Sequence, residues 1–311
     1  TSIGPDGGSV QSVAFDPITP SIVYASSSSD TLKSLDGGVT WFSINPLPYG
    51  VSPEVLVDPL VPTTIYVTKG FNLYKSTDGG GSWTGHPTNE PYASAFAIDP
   101  VNPSNLWLSG LGKIHRSTDG GVTWTPTALP PPATTEQAFD LAVDPVTPST
   151  LYAATSFGTA IGVYKSVDGG GSFTRVLADV ASQALAVDPV SPLTVLAGSL
   201  SSLGVYRSTN GGTSWTPSST GMVGGVTRHG LAIDPTNPLT VYAGSSGRVN
   251  KSVDGGLTWT PFTAGLPTVG GYLQSLVIDP SNPATLLGGE VTGVARSTDA
   301  GVSWTISRSG I

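Results

Sequence analysis

Ser34-Leu35-Asp36-Gly37-Gly38-Val39-Thr40-Trp41 is one of seven copies of a single pattern, Ser-x-(Asp/Asn)-x-Gly-x-(Ser/Thr)-(Trp/Phe). The others occupy 76–83, 117–124, 166–173, 208–215, 252–259 and 297–304. The central residues, Asp36, Asp78, Asp119, Asp168, Asn210, Asp254 and Asp299, stand 41 to 49 residues apart. A unit of that length cannot bury both faces of a small sheet by itself, whereas stacked units share one core. The 311 residues therefore read as one repeat array and not as two domains.

A second mark runs in phase with the first. Asp-Pro recurs at 16–17, 58–59, 99–100, 144–145, 188–189, 234–235 and 279–280, in most units 20 residues before the central residue of the box. Short apolar runs such as Val13-Ala14-Phe15 and Leu141-Ala142-Val143 precede it, too short for a helix and bounded by turn residues. After Asp-Pro-x-x-Pro comes a second run (Ile22-Val23-Tyr24-Ala25), then a third leading into the box (Val163-Tyr164-Lys165) and a fourth leaving it through the aromatic (Trp83-Thr84). Proline fixes φ and cannot donate to a ladder, so the Asp-Pro segments are turns between antiparallel strands. Four strands in each of seven units predict an all-β, seven-bladed β-propeller over 1–311, with 1–9 as a lead-in or closure segment.

Charged residues make up 11% of the chain, against roughly 25% in an average globular protein. The net charge of −8 and pI near 4.6 offer nothing to phosphate backbones or anionic lipid. Nucleic acid and membrane insertion are thus not expected, and no apolar run approaches the ~18 residues of a span. Cysteine is absent, which removes disulfides and thiolate chemistry. The low charge and Gly/Ser/Thr richness fit a secreted or cell-surface protein of bacterial type. The expected state is a monomer or one domain of a larger protein.

Within the box, the carboxylate is placed to accept hydrogen bonds from its own turn, the fifth-position glycine to supply a positive φ, and the aromatic to fill the space between blades. Asn210 in place of Asp suits an acceptor and not an acid or base. The seven segments resemble Asp-box repeats, also called bacterial neuraminidase repeats, of sialidases, xyloglucanases, sortilin-type receptors and photosystem II assembly factors. The resemblance spans 10 to 308 and implies that each box joins the third and fourth strands, away from the usual ligand face. It makes the seven boxes structural.

Function is then expected on the opposite face, in the irregular loops. Of the 21 acidic residues, seven are in Asp-Pro turns and six in boxes. Counting back from each Asp-Pro aligns Gln11, Gln183, His229 and Gln274 with one another, and Glu54 with Asp140, around the mouth of the central channel. With Arg228 and the loop aromatic Tyr92 they form the candidate ligand site. Tyr49, Phe71, Phe157 and Tyr272 fall in loops of the same face. His86, His115 and His229 lie in different blades without metal-ligand spacing, so no zinc site and no cofactor is expected; calcium held by loop carbonyls and carboxylates is the alternative left open. Three of the seven arginines, Arg116, Arg207 and Arg296, share a repeated Lys/Arg slot with Lys33, Lys75, Lys165 and Lys251. That leaves no arginine cluster of the kind a sialidase-like reaction needs, and a xyloglucanase-like reaction would use a cleft between two propellers. The expected function is non-catalytic recognition or scaffolding of a glycan or protein partner. The alternative is a glycoside hydrolase or lyase with Glu54 and Asp140 as acid and base.

Overall fold

Each Asp-Pro aspartate closes its own turn. Asp16 Oδ1 accepts from the amides of Ile18 and Thr19 at 2.9 and 2.8 Å, and Asp58, Asp99, Asp144, Asp188, Asp234 and Asp279 repeat the arrangement. The turn links an innermost strand to the second strand of the same sheet. In the first blade these are Val10–Phe15 and Val23–Ser27, followed by Thr31–Ser34 and Phe42–Ser43. The computed structural model describes residues 9–44, 47–48, 54–88, 90, 93–131, 135–200, 204–267 and 271–307. Over these, 28 strands form seven four-stranded antiparallel sheets, each ordered first to fourth along the chain. No helix occurs among the described residues. The chain is a seven-bladed propeller, as the repeats predict. The fourth strands begin one residue later than expected, at Thr84, Thr125 or Thr260, so the box aromatic stands outside the ladder.

The boxes fold identically. Ser34 Oγ donates to Asp36 Oδ1 (2.7 Å) and accepts from the Gly38 amide. Thr40 gives its amide to Oδ1 (2.9 Å) and its hydroxyl to Oδ2 (2.6 Å). Asn210 keeps the same acceptor oxygen toward Ser208 and the Ser214 amide, and turns its Nδ2 to donate to Ser214 Oγ at 2.8 Å. The acceptor role therefore survives loss of the charge. The Thr123 and Ser303 hydroxyls, followed by the same residues' amides, hold Asp119 and Asp299 down at about 2. The fourth-position amide bonds back to the Asp-Pro turn, as in Gly37 N to Ser21 O at 2.8 Å and Ala300 N to Ala284 O at 2.9 Å. Boxes and Asp-Pro turns thus share one face. The loops between second and third strands and the connections between blades form the other.

No strand is shared between blades; isolated backbone bridges and a repeated set of side chains bind the ring. In six of the seven blades the Lys/Arg slot donates to the carbonyl of the fourth box residue in the next, among them Lys33 to Gly79 at 3.0 Å, Lys165 to Gly211 at 2.6 Å, Lys251 to Ala300 at 3.0 Å and Arg207 to Gly255 at 3.0 Å. Arg296 makes the bond to Gly37 at 3.0 Å, which joins the seventh blade to the first. The same seam carries Trp41 packed with Leu287 and Val294, and Ser307 Oγ donating to Val39 O. Of residues 1–9, expected as a lead-in or closure segment, 1–8 lie outside the described residues.

Both box glycines adopt positive φ, Gly37 at 69° and Gly38 at 86°. A Cβ on Gly38 would also meet Leu287 of the neighbouring blade at 3.0 Å. In the seventh blade Ala300 holds the first of these positions at φ 57°, a conformation that costs an L-residue about 1–2 kcal/mol. Ala300→Gly should therefore stabilise the protein by about 1 kcal/mol, read as a rise in thermal midpoint. An unchanged or lowered midpoint would show that the ring absorbs no strain there.

Candidate functional site

At the loop face the innermost strands end as a ring of side chains aimed at the channel axis. Three of these strands carry a bulge at its rim, where Gln11, Phe139 and Gln183 are the extra residues. A bulge re-aims one side chain without losing the ladder. The next position stitches blades together: Ser12 Oγ accepts from the Val55 amide at 3.2 Å, and Asp140 Oδ2 accepts from the Leu185 amide at 2.7 Å. Glu54 holds the equivalent position in the second blade, beside the Phe96 amide. An inner-edge N–H that no strand can pair is satisfied by the preceding blade's side chain.

The sixth blade departs from this scheme. Thr227 to Gly230 form a turn closed by Gly230 N to Thr227 O at 3.0 Å, with His229 at φ 47°. A non-glycine residue in this conformation persists only where its surroundings over-determine it. Here they do. The His229 amide donates to Gln183 O, its carbonyl accepts from Leu276 N, and its Nδ1 lies 3.0 Å from Asp140 Oδ1 and 4.0 Å from Glu54 Oε1. Arg228 Nε meets His229 Nε2 at 3.0 Å. Its Nη2 crosses the channel to the Ser94 carbonyl of the third blade, and its guanidinium lies 6.0 Å from the centre of the Phe139 ring. One dipeptide of the sixth blade thereby contacts the second, third, fourth, fifth and seventh, and closes this end of the channel.

The electrostatics follow from burial. Glu54 is 7% exposed, and burial pushes it up to about 7 against the pull of His229 and Arg228. Burial opposes the charge on His229, but Glu54 and Asp140 overcome it and raise its pKa above the ordinary value. Glu54 Oε2 is buried without a hydrogen-bond partner among the described residues.

The structure thus brings together Glu54, Asp140, Arg228 and His229 and leaves the glutamines apart. Gln11 Nε2 donates to Ser28 Oγ, Gln183 Nε2 to Ser156 Oγ and Gln274 Nε2 to Ser9 Oγ, so each braces a loop around the cluster. Tyr92 and Tyr49 lie outside the described residues. Phe139 stands five residues before Asp144, the position that Gln11 and Gln183 hold before Asp16 and Asp188, and is apolar there. Its role emerges from its contacts: it stacks edge-on with Phe157 at 5.4 Å and receives Arg228 on its other side. Leu111 and Leu200 are also exposed on this face. They occupy the second-to-third-strand loop tip that Phe71 and Phe157 hold in neighbouring blades, and aligning those tips would have found them. Among the described residues no group of His, Asp and Glu has metal-binding geometry.

No protein-family model and no curated protein matches the chain. Among solved structures, the GH74 enzyme of Niastella koreensis superposes with a TM-score of 0.79 at 21% identity, covering 99% of this chain and 55% of that one. The GH74 xyloglucanase of Xanthomonas campestris gives 0.79 at 18%, covering 100% and 56%. A YCF48 structure bound to D1 peptide gives 0.66 at 16%, covering 94% of each chain. The chain spans about half the length of the two enzymes. At these identities the likeness is one of fold: a propeller scaffold shared by glycan-acting enzymes and a peptide-binding protein.

The cluster should tie stability to pH. Glu54 is raised from 4.5 to about 7, so the folded protein holds a proton that the unfolded chain releases first. Its contribution is present below about 4.5 and is lost as pH rises through about 7; raised His229 loses its own share in the same direction. Denaturant unfolding should show stability falling across that window, with a shallower slope in Glu54→Gln. His229→Ala should cost about 3 kcal/mol, the effect of stranding a buried charge. A flat profile, or a variant of unchanged stability, would mean that the cluster does not brace the ring.

Proposed function

We propose that this propeller is a non-catalytic recognition module that binds a protein partner on the face opposite the boxes. The observation that carries this reading is the run of apolar loop tips in four consecutive blades. Phe71 and Phe157, 58% and 61% exposed, alternate with Leu111 and Leu200, and Tyr272 adds an exposed aromatic between the sixth and seventh blades. Contiguous exposed apolar side chains on a soluble fold mark interaction surfaces, and large aromatics are the usual anchors. Two leucines among the aromatics suit an apolar peptide surface better than a sugar, which stacks on flat rings and needs polar neighbours. Arg228 lies beneath, on Phe139, and stiffens the platform. The peptide-bound YCF48 structure, matched over nearly its whole length, supports the same reading. The repeated boxes support an Asp-box propeller, and low charge with Gly/Ser/Thr richness favours a secreted or cell-surface setting.

A hydrolytic reading, with Glu54 and Asp140 as acid and base, draws on the GH74 likeness and on the raised Glu54. Both carboxylates address the same imidazole nitrogen, however, so His229 occupies the space a glycosidic oxygen would need.

Phe71→Ser combined with Phe157→Ser should leave the thermal midpoint nearly unchanged, because exposed positions shift stability by only about 0.5 kcal/mol. Partner affinity should fall by a factor of ten or more, measured against extracellular protein fractions and a glycan array in parallel. Glycan binding without protein binding would make the module lectin-like. Polysaccharide turnover abolished by Glu54→Gln and Asp140→Asn at unchanged stability would replace recognition with hydrolysis.

A further inference from the structure

The third blade leaves its slot arginine without the task that the other six slots perform. Trp107 Nε1 donates to Gly169 O at 2.9 Å, so the carbonyl that Arg116 would otherwise reach is already taken. Arg116 Nε is buried without a partner. Nη1 and Nη2 are not buried, and neither makes a hydrogen bond or an ion pair among the described residues. The guanidinium lies against the box of the fourth blade, where a Cβ on Gly169 would stand 3.5 Å from Cζ and Nη2 and 3.6 Å from Nη1. It borders a pocket of about 210 Å³ on the box side of this seam, lined by Thr118, Thr123, Thr125 and Thr127 from the third blade and by Gly170 and Gly171 from the fourth. Arg116 and Thr125 are directly opposite in the ladder between Lys113–Ser117 and Thr125–Ala128, and Thr127 is two residues along. All three side chains therefore share one face of the sheet. The Thr125 and Thr127 hydroxyls, like the guanidinium edge, make no hydrogen bond among the described residues.

We propose that this pocket binds a sugar acid of the hexuronate class, with its carboxylate on the Nη1–Nη2 edge of Arg116 and its ring hydroxyls against Thr125 and Thr127. The edge of a guanidinium matches the two oxygens of a carboxylate in one plane. The rest of the wall decides what carries that carboxylate. It holds four threonines and two glycines and no aliphatic or aromatic residue, so an apolar ligand would gain little burial there. Hydroxyls of a ligand would find both donors and acceptors. Charge decides between anions. Asp119 and Asp168 belong to the two boxes that form the pocket, and each is held ionised by hydroxyl groups, those of Thr123 and Ser117 for the first and of Ser172 and Ser166 for the second. Neither pairs with Arg116, yet each repels a phosphate dianion about twice as strongly as a carboxylate at the same distance. The volume lies below the ~300–1,000 Å³ of sites for drug-sized ligands, which suits a single sugar unit. This site is on the side away from the recognition surface and stands independently of that reading.

An NMR titration of the isotope-labelled full chain with D-glucuronate, D-glucose, acetate and glucose 6-phosphate tests the assignment. Glucuronate should move the amide signals of Thr125, Thr127, Gly170 and Gly171 saturably. It should bind about tenfold more tightly than glucose, which lacks the charge, and about fivefold more tightly than acetate, which lacks the hydroxyls. Glucose 6-phosphate should bind more weakly than glucuronate. Arg116→Gln removes no hydrogen bond of the folded chain and should weaken glucuronate about tenfold, and Arg116→Lys, which keeps the charge and loses the planar edge, about fivefold. Should Arg116→Gln fail to fold, Arg116→Lys and the comparison of ligands on the unaltered chain decide. No saturable movement of these amides, acetate equal to glucuronate, glucose 6-phosphate binding more tightly, or undiminished binding to folded Arg116→Gln would overturn the proposal.

Discussion

Everything in this ring depends on the grip of one blade on the next blade's box. With no strand passing between sheets, the backbone supplies only isolated bridges across a blade boundary, such as Trp259 N to Thr220 O and Trp304 N to Ala264 O, and side chains supply the repeated grip. The box is shaped to be held. Its two left-handed residues turn a carbonyl outward to a neighbouring Lys or Arg, while its aromatic enters the gap between blades. The cationic slot is matched to the residue beside it on the second strand. Lys33, Lys75, Lys165 and Lys251 lie over Tyr24, Tyr66, Tyr152 and Tyr242, with ammonium-to-ring distances of 5.2 to 5.6 Å. Where that neighbour is Leu196 or Leu287 the slot holds Arg207 or Arg296. A compact ammonium gains from the ring face beneath it. A guanidinium reaches the same carbonyl over an aliphatic side chain without that help.

The third blade shows how firmly the carbonyl is claimed. Trp107 replaces the tyrosine, and its indole N–H donates to Gly169 O at 2.9 Å, taking the bond made elsewhere by the cation. Arg116 then keeps its slot with Nε buried and without a partner among the described residues. The constraint is therefore a donor on that carbonyl, and the identity of the donor is free to vary.

The same geometry separates the two ends of the channel. At the box face every aspartate is consumed by its own turn, so the opening is framed by proline and aliphatic residues. At the loop face the strand ends leave amides that neighbouring side chains must satisfy, and this brings Ser12, Glu54 and Asp140 to the axis. Two of these are carboxylates, and burying them requires cations. Arg228 supplies the cation, and His229 accepts from it through Nε2 and faces Asp140 through Nδ1, both from the one blade whose turn reaches across the axis. A charged cap and an apolar shaft are in this sense two results of one repeat.

The sequence by itself determined the architecture. Seven boxes in phase with seven Asp-Pro turns admit one arrangement of strands, because each motif is satisfied within its own turn and its hydrogen bonds are local. That locality is why Asn210 could be read as an acceptor, and why Glu54, Asp140 and His229 could be aligned at the channel mouth by counting residues. Only the tertiary structure decided what those residues do together. Arg228 meets Ser94, 134 positions away, and His229 meets Asp140, 89 away; no period encodes such pairs, since they depend on the diameter of the closed ring. The aligned glutamines show the converse, for equivalent positions sent Gln11, Gln183 and Gln274 into loop contacts once bulges and neighbouring serines were in place. Local hydrogen bonding is written in the repeat, whereas contacts across the axis exist only after seven blades have closed around it.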